Sequence, residues 1–130
     1  MPTAIIVDDS PIMRAQLRRV LITAGFSIVA EAATANELLA LYELHRPDIV
    51  TLDIVMPGKD GATAAAELLA KHPGAVVVMC TSLTARDKIL ACQKAGVSYF
   101  LLKPFDPDNA VAIFRSVLAR ARGAQAASAS

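Results

Sequence analysis

The sequence predicts an α/β fold, a doubly wound parallel sheet of five strands with five helices. Three observations predict it. Short apolar runs begin at Ala4, Ser27, Asp48, Ala75 and Val97, and a helix-length segment follows each one. The offsets between the runs are 23, 21, 27 and 22 residues, the spacing of strand-plus-helix units, with no self-similarity that would indicate a solenoid. The run Ile49-Val50-Thr51-Leu52 is β-branched and apolar without alternation, the pattern of a parallel strand covered on both faces.

Taken in order, the helical segments support the same fold. Met13, Leu17, Val20, Leu21 and Ala24 fall on one helical face, and Gly25 stops that helix. Leu38, Leu41 and Tyr42 mark the second helix, and Pro47 follows its end. The third is alanine-rich, with Asp60 as its expected N-cap and His72-Pro73-Gly74 as its stop. Thr84 is placed to cap the fourth, which runs through Ile89, Cys92 and Ala95 to Gly96. Asp106 as N-cap and Pro107 at the first helical position open the fifth, with Val111, Phe114, Val117, Leu118 and Ala121 as its buried stripe. One domain is expected over residues 1–122, followed by a flexible tail over 123–130, where small polar residues show no periodicity.

Composition narrows the function classes. The 130 residues are the size of one domain, enough to remove roughly two-thirds of the unfolded surface from water. A formal charge of +1 gives no excess positive field, so no nucleic-acid or anionic-membrane surface is expected. The longest apolar run, Ala75 to Cys80, is far below the length of about 18 residues that signals a membrane helix. The N-terminus lacks the cationic region of a signal peptide, and a cytoplasmic location is expected. Cys80 and Cys92 form no C-x-x-C pattern and read as small core residues.

The strand ends carry the chemistry. Strand one finishes in Asp8-Asp9, strand three in Asp53, strand four in Thr81-Ser82 and strand five in Lys103-Pro104. Parallel strands gather these groups at one edge, the crevice where open α/β sheets bind ligands. Three carboxylates there repel one another unless positive charge offsets them. Lys103 supplies one cation, and a hard divalent ion, Mg²⁺, is expected to supply the other through Asp9, Asp53 and a backbone carbonyl. A carboxylate in such a setting can attack a phosphoryl group, with lysine and metal neutralising the transferred oxygens. Asp53 is the expected nucleophile. Singly, Asp9 and Ser10 could cap a helix, Thr81 could be an ordinary strand residue and Lys103 could extend into solvent; four strands converging on one chemistry make coincidence the weaker reading.

From Ala4 to Arg122 the chain resembles the receiver domain of two-component response regulators, the single-domain chemotaxis-type members in particular. The matching residues are Val7-Asp8-Asp9-Ser10, Asp53-Ile54-Val55-Met56-Pro57 with Asp60-Gly61, Thr81-Ser82 and Lys103-Pro104-Phe105. The resemblance implies the flavodoxin-like strand order 2-1-3-4-5 and Asp53 as phospho-acceptor. Asp9 becomes a direct Mg²⁺ ligand, Asp8 binds through metal-bound water, and the Val55 carbonyl is a further ligand. Lys103 pairs with the phosphoryl group, Thr81 turns its hydroxyl toward it, and the Lys103-Pro104 bond is cis.

The resemblance also implies a switch. Thr81 moves inward when Asp53 gains phosphoryl oxygens, and an aromatic three residues before the lysine fills the vacated space. That aromatic is Phe100, which lacks the hydroxyl of members with tyrosine and so acts through packing; Tyr99 should face the other way. Val55 and Leu83 stand where relatives often carry polar groups beside the attacking water, so slow self-hydrolysis of the phosphoryl group is expected.

The expected partners are a sensor histidine kinase and a downstream target on the surface of helix four, strand five and helix five, with the active form a monomer or a phosphorylation-dependent dimer. Arg86, Lys88, Lys94, Arg115, Arg120 and Arg122 lie on those helices, either to meet an acidic partner or simply to solvate them. A haloacid-dehalogenase-type phosphatase would place Asp-x-Asp on strand one, where this chain reads Asp8-Asp9-Ser10. In a flavodoxin-like carrier the three acids would repel the FMN phosphate. A phosphorylation-independent interaction module of the same fold, or a receiver excised from a larger regulator, are the remaining alternatives.

Overall fold

A computed structural model describes residues 1–82 and 86–129, with the backbone alone described over 124–129. The strands are β1 (Thr3–Val7), β2 (Ser27–Ala32), β3 (Ile49–Asp53), β4 (Val77–Thr81) and β5 (Tyr99–Leu102). The helices are α1 (Pro11–Thr23), α2 (Leu38–His45), α3 (Gly61–Lys71), α4 (Arg86–Lys94) and α5 (Pro107–Ala129), with a 3₁₀ turn at Ala35–Glu37 leading into α2. All strand pairs are parallel and the order is β2-β1-β3-β4-β5, the doubly wound topology expected.

Two apolar layers sandwich the sheet, which is why the central strands read as continuous apolar runs. On one side Ile5, Val7, Val50, Leu52, Val77 and Met79 pack under α2, α3 and α4, through Leu38, Tyr42, Ala65, Leu68 and Cys92. On the other, Ala4, Ile6, Ile49, Val78, Cys80 and Leu101 pack under α1 and α5, through Leu17, Leu21, Phe114 and Val117. Both cysteines are free and buried, in keeping with the core reading. Burial pushes the Cys80 thiol up to about 12, which leaves it protonated and unreactive.

The helix ends are set by local chemistry. The Ser10 hydroxyl accepts from the Met13 N–H at 3.2 Å and Pro11 follows at the first helical position, so α1 begins directly after the Asp8-Asp9 turn. Asp60 caps α3 through the Thr63 N–H at 2.8 Å, and Asp106 caps α5 through the Asn109 N–H at 3.0 Å. Gly25 stops α1 at φ +100°, a backbone angle that favours glycine. Thr84 lies outside the described residues. The backbone of α5 carries on past Gly123 to Ala129, into the stretch where the sequence reading placed a tail. Alanine is the strongest helix former, and four of the residues over 124–129 are alanine, which accounts for the continuation. Among the described residues, no helix is long and apolar enough to cross a membrane.

Candidate functional site

The C-terminal ends of β1, β3, β4 and β5 meet at one edge of the sheet and bring together Asp8, Asp9, Asp53, Thr81 and Lys103. One carboxylate oxygen from each of Asp8, Asp9 and Asp53 lies within 4.8 Å of the others. Asp8 and Asp53 are buried and Asp9 is exposed, so the cluster has a desolvated floor and an open lip.

Asp8 is held at every polar atom. Its N–H donates to the Ala32 carbonyl at 3.0 Å, continuing the β1–β2 ladder. Its Oδ1 accepts from the Ser10 N–H at 2.9 Å, its carbonyl oxygen accepts from Arg14 Nη1 at 2.6 Å, and its Oδ2 lies 3.2 Å from Lys103 Nζ. Asp53 ends β3 with its Oδ1 3.4 Å from Lys103 Nζ and 3.4 Å from the Val55 N–H. Lys103 therefore bridges two carboxylates from its place just beyond β5.

The electrostatics follow from burial. Desolvation is the main cause raising the Asp53 carboxyl above the ordinary aspartate range, and the nearby Asp8 charge adds to it; Lys103 opposes both without cancelling them. Burial works against the Lys103 ammonium, but Asp53 and Asp8 together outweigh it and hold its pKa above the usual lysine value. The pocket is thus short of positive charge even with Lys103 in place. Its donors are hard carboxylate oxygens gathered at one lip, a set that suits a small divalent ion such as Mg²⁺.

The loop from β3 to α3 is built around glycine. The Gly61 N–H donates to the Ile54 carbonyl at 2.8 Å, and a Cβ at position 61 would fall on the backbone carbonyl of Asp53. Gly58 turns the same loop at φ +79°. Val55 lies on this loop and is 58% exposed, at the mouth of the pocket.

Thr81 ends β4, buried, with its hydroxyl donating to the Ser82 carbonyl at 3.2 Å. Its carbonyl oxygen accepts from the Lys103 N–H at 2.6 Å, and the Lys103-Pro104 bond is cis, as expected. Phe100 is half-buried against the α2–α4 layer and Tyr99 packs into the α1–α5 layer, so the two rings face opposite ways as the alternation predicted. Thr81 pairs with Leu102 in the ladder, which puts Phe100 two residues earlier on the adjoining strand. Leu83 lies outside the described residues. On the α4–β5–α5 surface Leu90 and Leu102 are exposed, Lys88 Nζ reaches Asp60 Oδ2 at 3.5 Å, and Arg115 Nη2 donates to the Thr23 carbonyl at 3.2 Å.

Arg14 escaped the sequence reading. A signal existed: a cation in the opening turns of a helix works against the helix dipole, so its placement calls for a partner elsewhere.

The sequence model of the response regulator receiver domain matches residues 4–115. The chemotaxis protein CheY of Listeria monocytogenes is 39% identical over 105 residues, which cover 81% of this chain and 88% of that protein. CheY of Bacillus subtilis is 34% identical over 114 residues, covering 88% and 95%. Among solved structures, the CheX–CheY–BeF3–Mg²⁺ complex from Borrelia burgdorferi aligns with a TM-score of 0.82 and 33% identity, over 89% of this chain and 88% of the other. A CheY-like receiver domain from Methanospirillum hungatei shares the fold at a TM-score of 0.86.

Proposed function

The chain belongs to the response regulator receiver family of phosphorylation-dependent signalling switches, and we propose that Asp53 is the residue that accepts the phosphoryl group. The observation that carries this reading is the position of its carboxylate, at the end of β3 with Oδ1 3.4 Å from Lys103 Nζ and in the acid cluster with Asp8 and Asp9. An Asp53 oxygen attacks phosphorus, a P–O bond forms, and the bond to the donor breaks with its electron pair leaving on the donor atom. A sensor histidine kinase is the proposed donor, with acetyl phosphate as a small-molecule substitute.

Asp9, Asp53 and the Val55 carbonyl are the proposed direct Mg²⁺ ligands. Both Asp8 oxygens already have partners, which suits an indirect role through water. The bound ion would offset negative charge on the transferred oxygens. Lys103 meets those oxygens from the β5 side, and its raised pKa keeps it charged while it does so.

Thr81 and Phe100 form the proposed readout. In the present state the Thr81 hydroxyl bonds the Ser82 carbonyl, so turning to a phosphoryl oxygen exchanges one acceptor for a charged, stronger one. Phe100 then packs into the space released, and the α4–β5–α5 surface presents a different face to its target. Phe100 offers no hydroxyl, so the signal is one of shape. The active species is a monomer or a phosphorylation-dependent dimer.

Intact mass spectrometry after acetyl phosphate and Mg²⁺ treatment tests the reading, with Asp53→Asn as control. A gain of one phosphoryl group that the variant lacks is the expected result. No gain in the wild-type chain would point instead to a phosphorylation-independent interaction module.

A further inference from the structure

Asp9 is joined to Asp8 by a peptide bond whose oxygen is gripped from outside the pocket. Arg14 Nη1 donates to that oxygen at 2.6 Å. Arg14 is in turn held by the edge strand, its Nε 3.7 Å from Glu31 Oε1 on β2. Glu31 is anchored by a two-pronged bond from Arg18, Nε to Oε2 at 2.6 Å and Nη2 to Oε1 at 2.7 Å. A chain of contacts thus runs from Arg18 through Glu31 and Arg14 to the backbone between two acids of the cluster.

A peptide unit is planar, so fixing its oxygen fixes the whole plane, including the N–H of the next residue. Lys103 and Ala32 hold the side chain and amide of Asp8, and the Ser10 N–H closes a turn around the Asp8–Asp9 peptide through Asp8 Oδ1, but none of the three touches the oxygen of that peptide. Arg14 holds that oxygen directly. We propose that Arg14 is a positioning residue for divalent-cation binding: it orients the Asp8–Asp9 peptide so that the Asp9 carboxylate enters the cluster preformed, and Glu31 keeps Arg14 in place. This rests on the reading of Asp8, Asp9 and Asp53 as the metal site.

Charge and position predict opposite signs. Removing a cation from beside an acid cluster should, on Coulombic grounds, tighten Mg²⁺ binding. Loosening the peptide that carries a ligand should weaken it, by roughly tenfold or more for an outer partner of this type. The test is a Mg²⁺ titration of the unphosphorylated full chain, followed by the amide signals of Asp9 and Asp53, for wild type, Arg14→Ala, Arg14→Lys, Glu31→Gln and the Arg14→Ala/Glu31→Gln pair. Urea unfolding in EDTA establishes that each variant is folded, and Arg14→Met substitutes for Arg14→Ala if the latter is not.

The expected result is weaker Mg²⁺ binding in Arg14→Ala and partial recovery in Arg14→Lys, which retains a donor. Glu31→Gln should weaken binding in the wild-type background and add nothing in the Arg14→Ala background. Affinity equal to or tighter than wild type in Arg14→Ala overturns the proposal, as does a Glu31→Gln loss of the same size with or without Arg14. Should the wild-type chain itself show no Mg²⁺-dependent signals, the metal reading falls and this inference with it. Wild-type binding with an unaffected Arg14→Ala variant sinks the inference alone.

Discussion

Gly61 and the backbone carbonyl of Asp53 touch so closely that no side chain fits between them. The first residue of α3 therefore rests on the last residue of β3, and any Cβ must displace the backbone that carries the proposed phospho-acceptor. Gly61→Ala is expected to destabilise the fold by about 2 kcal/mol, the usual range for forcing atoms into a packed site. Urea unfolding measures this, and a variant as stable as wild type would show that the contact relaxes freely.

Asp53 carries a stability cost in the absence of metal. Its folded pKa lies above the unfolded value of 3.8, so the folded state binds more protons through that window and loses stability as pH rises across it. The cost is absent well below 3.8 and grows as pH rises toward and past the raised folded pKa. Asp53→Asn should therefore be more stable than wild type at pH 7 in EDTA and match it at strongly acidic pH. Equal stability at both pH values would contradict the desolvation argument.

Asp60 works in the other direction. The Thr63 N–H is the main cause lowering its carboxyl below the usual aspartate range, so its contribution is present above the unfolded pKa and is lost as pH falls through the folded one. Asp60→Ala should cost about 1 kcal/mol at pH 7, typical of a lost N-cap. The penalty should shrink in acid, and denaturation curves at neutral and acidic pH compare the two.

Thr51 sits on β3 two residues before Asp53, fully buried, and its hydroxyl has no hydrogen-bond partner among the described residues. An unsatisfied buried hydroxyl costs about 1–3 kcal/mol. Thr51→Val retains the shape and removes the polar atom, so a gain of about 1 kcal/mol in unfolding free energy is expected. A loss instead would mean that the hydroxyl is satisfied in solution.

Val55 stands exposed at the mouth of the pocket with no polar atom on its side chain. Val55→Asn introduces groups that can orient an attacking water, and the phosphorylated chain should lose its phosphoryl group several-fold faster, as roughly expected for one added positioning contact. Decay followed by intact mass decides it, and an unchanged lifetime would remove Val55 from the hydrolysis argument.

Much of this architecture was legible in the sequence because the central strands β1, β3 and β4 are apolar on both faces and, like β5, run into polar residues at their C-terminal ends. That pattern alone places Asp8, Asp9, Asp53, Thr81 and Lys103 at one edge. What escaped depends on contacts between distant segments. Nothing in the sequence shows that the Cβ missing from Gly61 would meet the Asp53 backbone, or that Glu31 on β2 reaches Arg14 and Arg18 on α1. The extension of α5 past Gly123 was missed for a different reason: small residues without an apolar stripe suggest a tail, yet alanine needs no stripe to stay helical.

The bond from the Lys103 N–H to the Thr81 carbonyl, 2.6 Å long, closes the β4–β5 ladder between the lysine proposed to meet the phosphoryl group and the residue whose hydroxyl is proposed to sense it. On that proposal, input and output share one rung of the sheet. The amide proton on that rung is consequently a built-in gauge: the speed at which it trades for deuterium reports how firmly β5 is latched to β4, before and after the chain receives its signal.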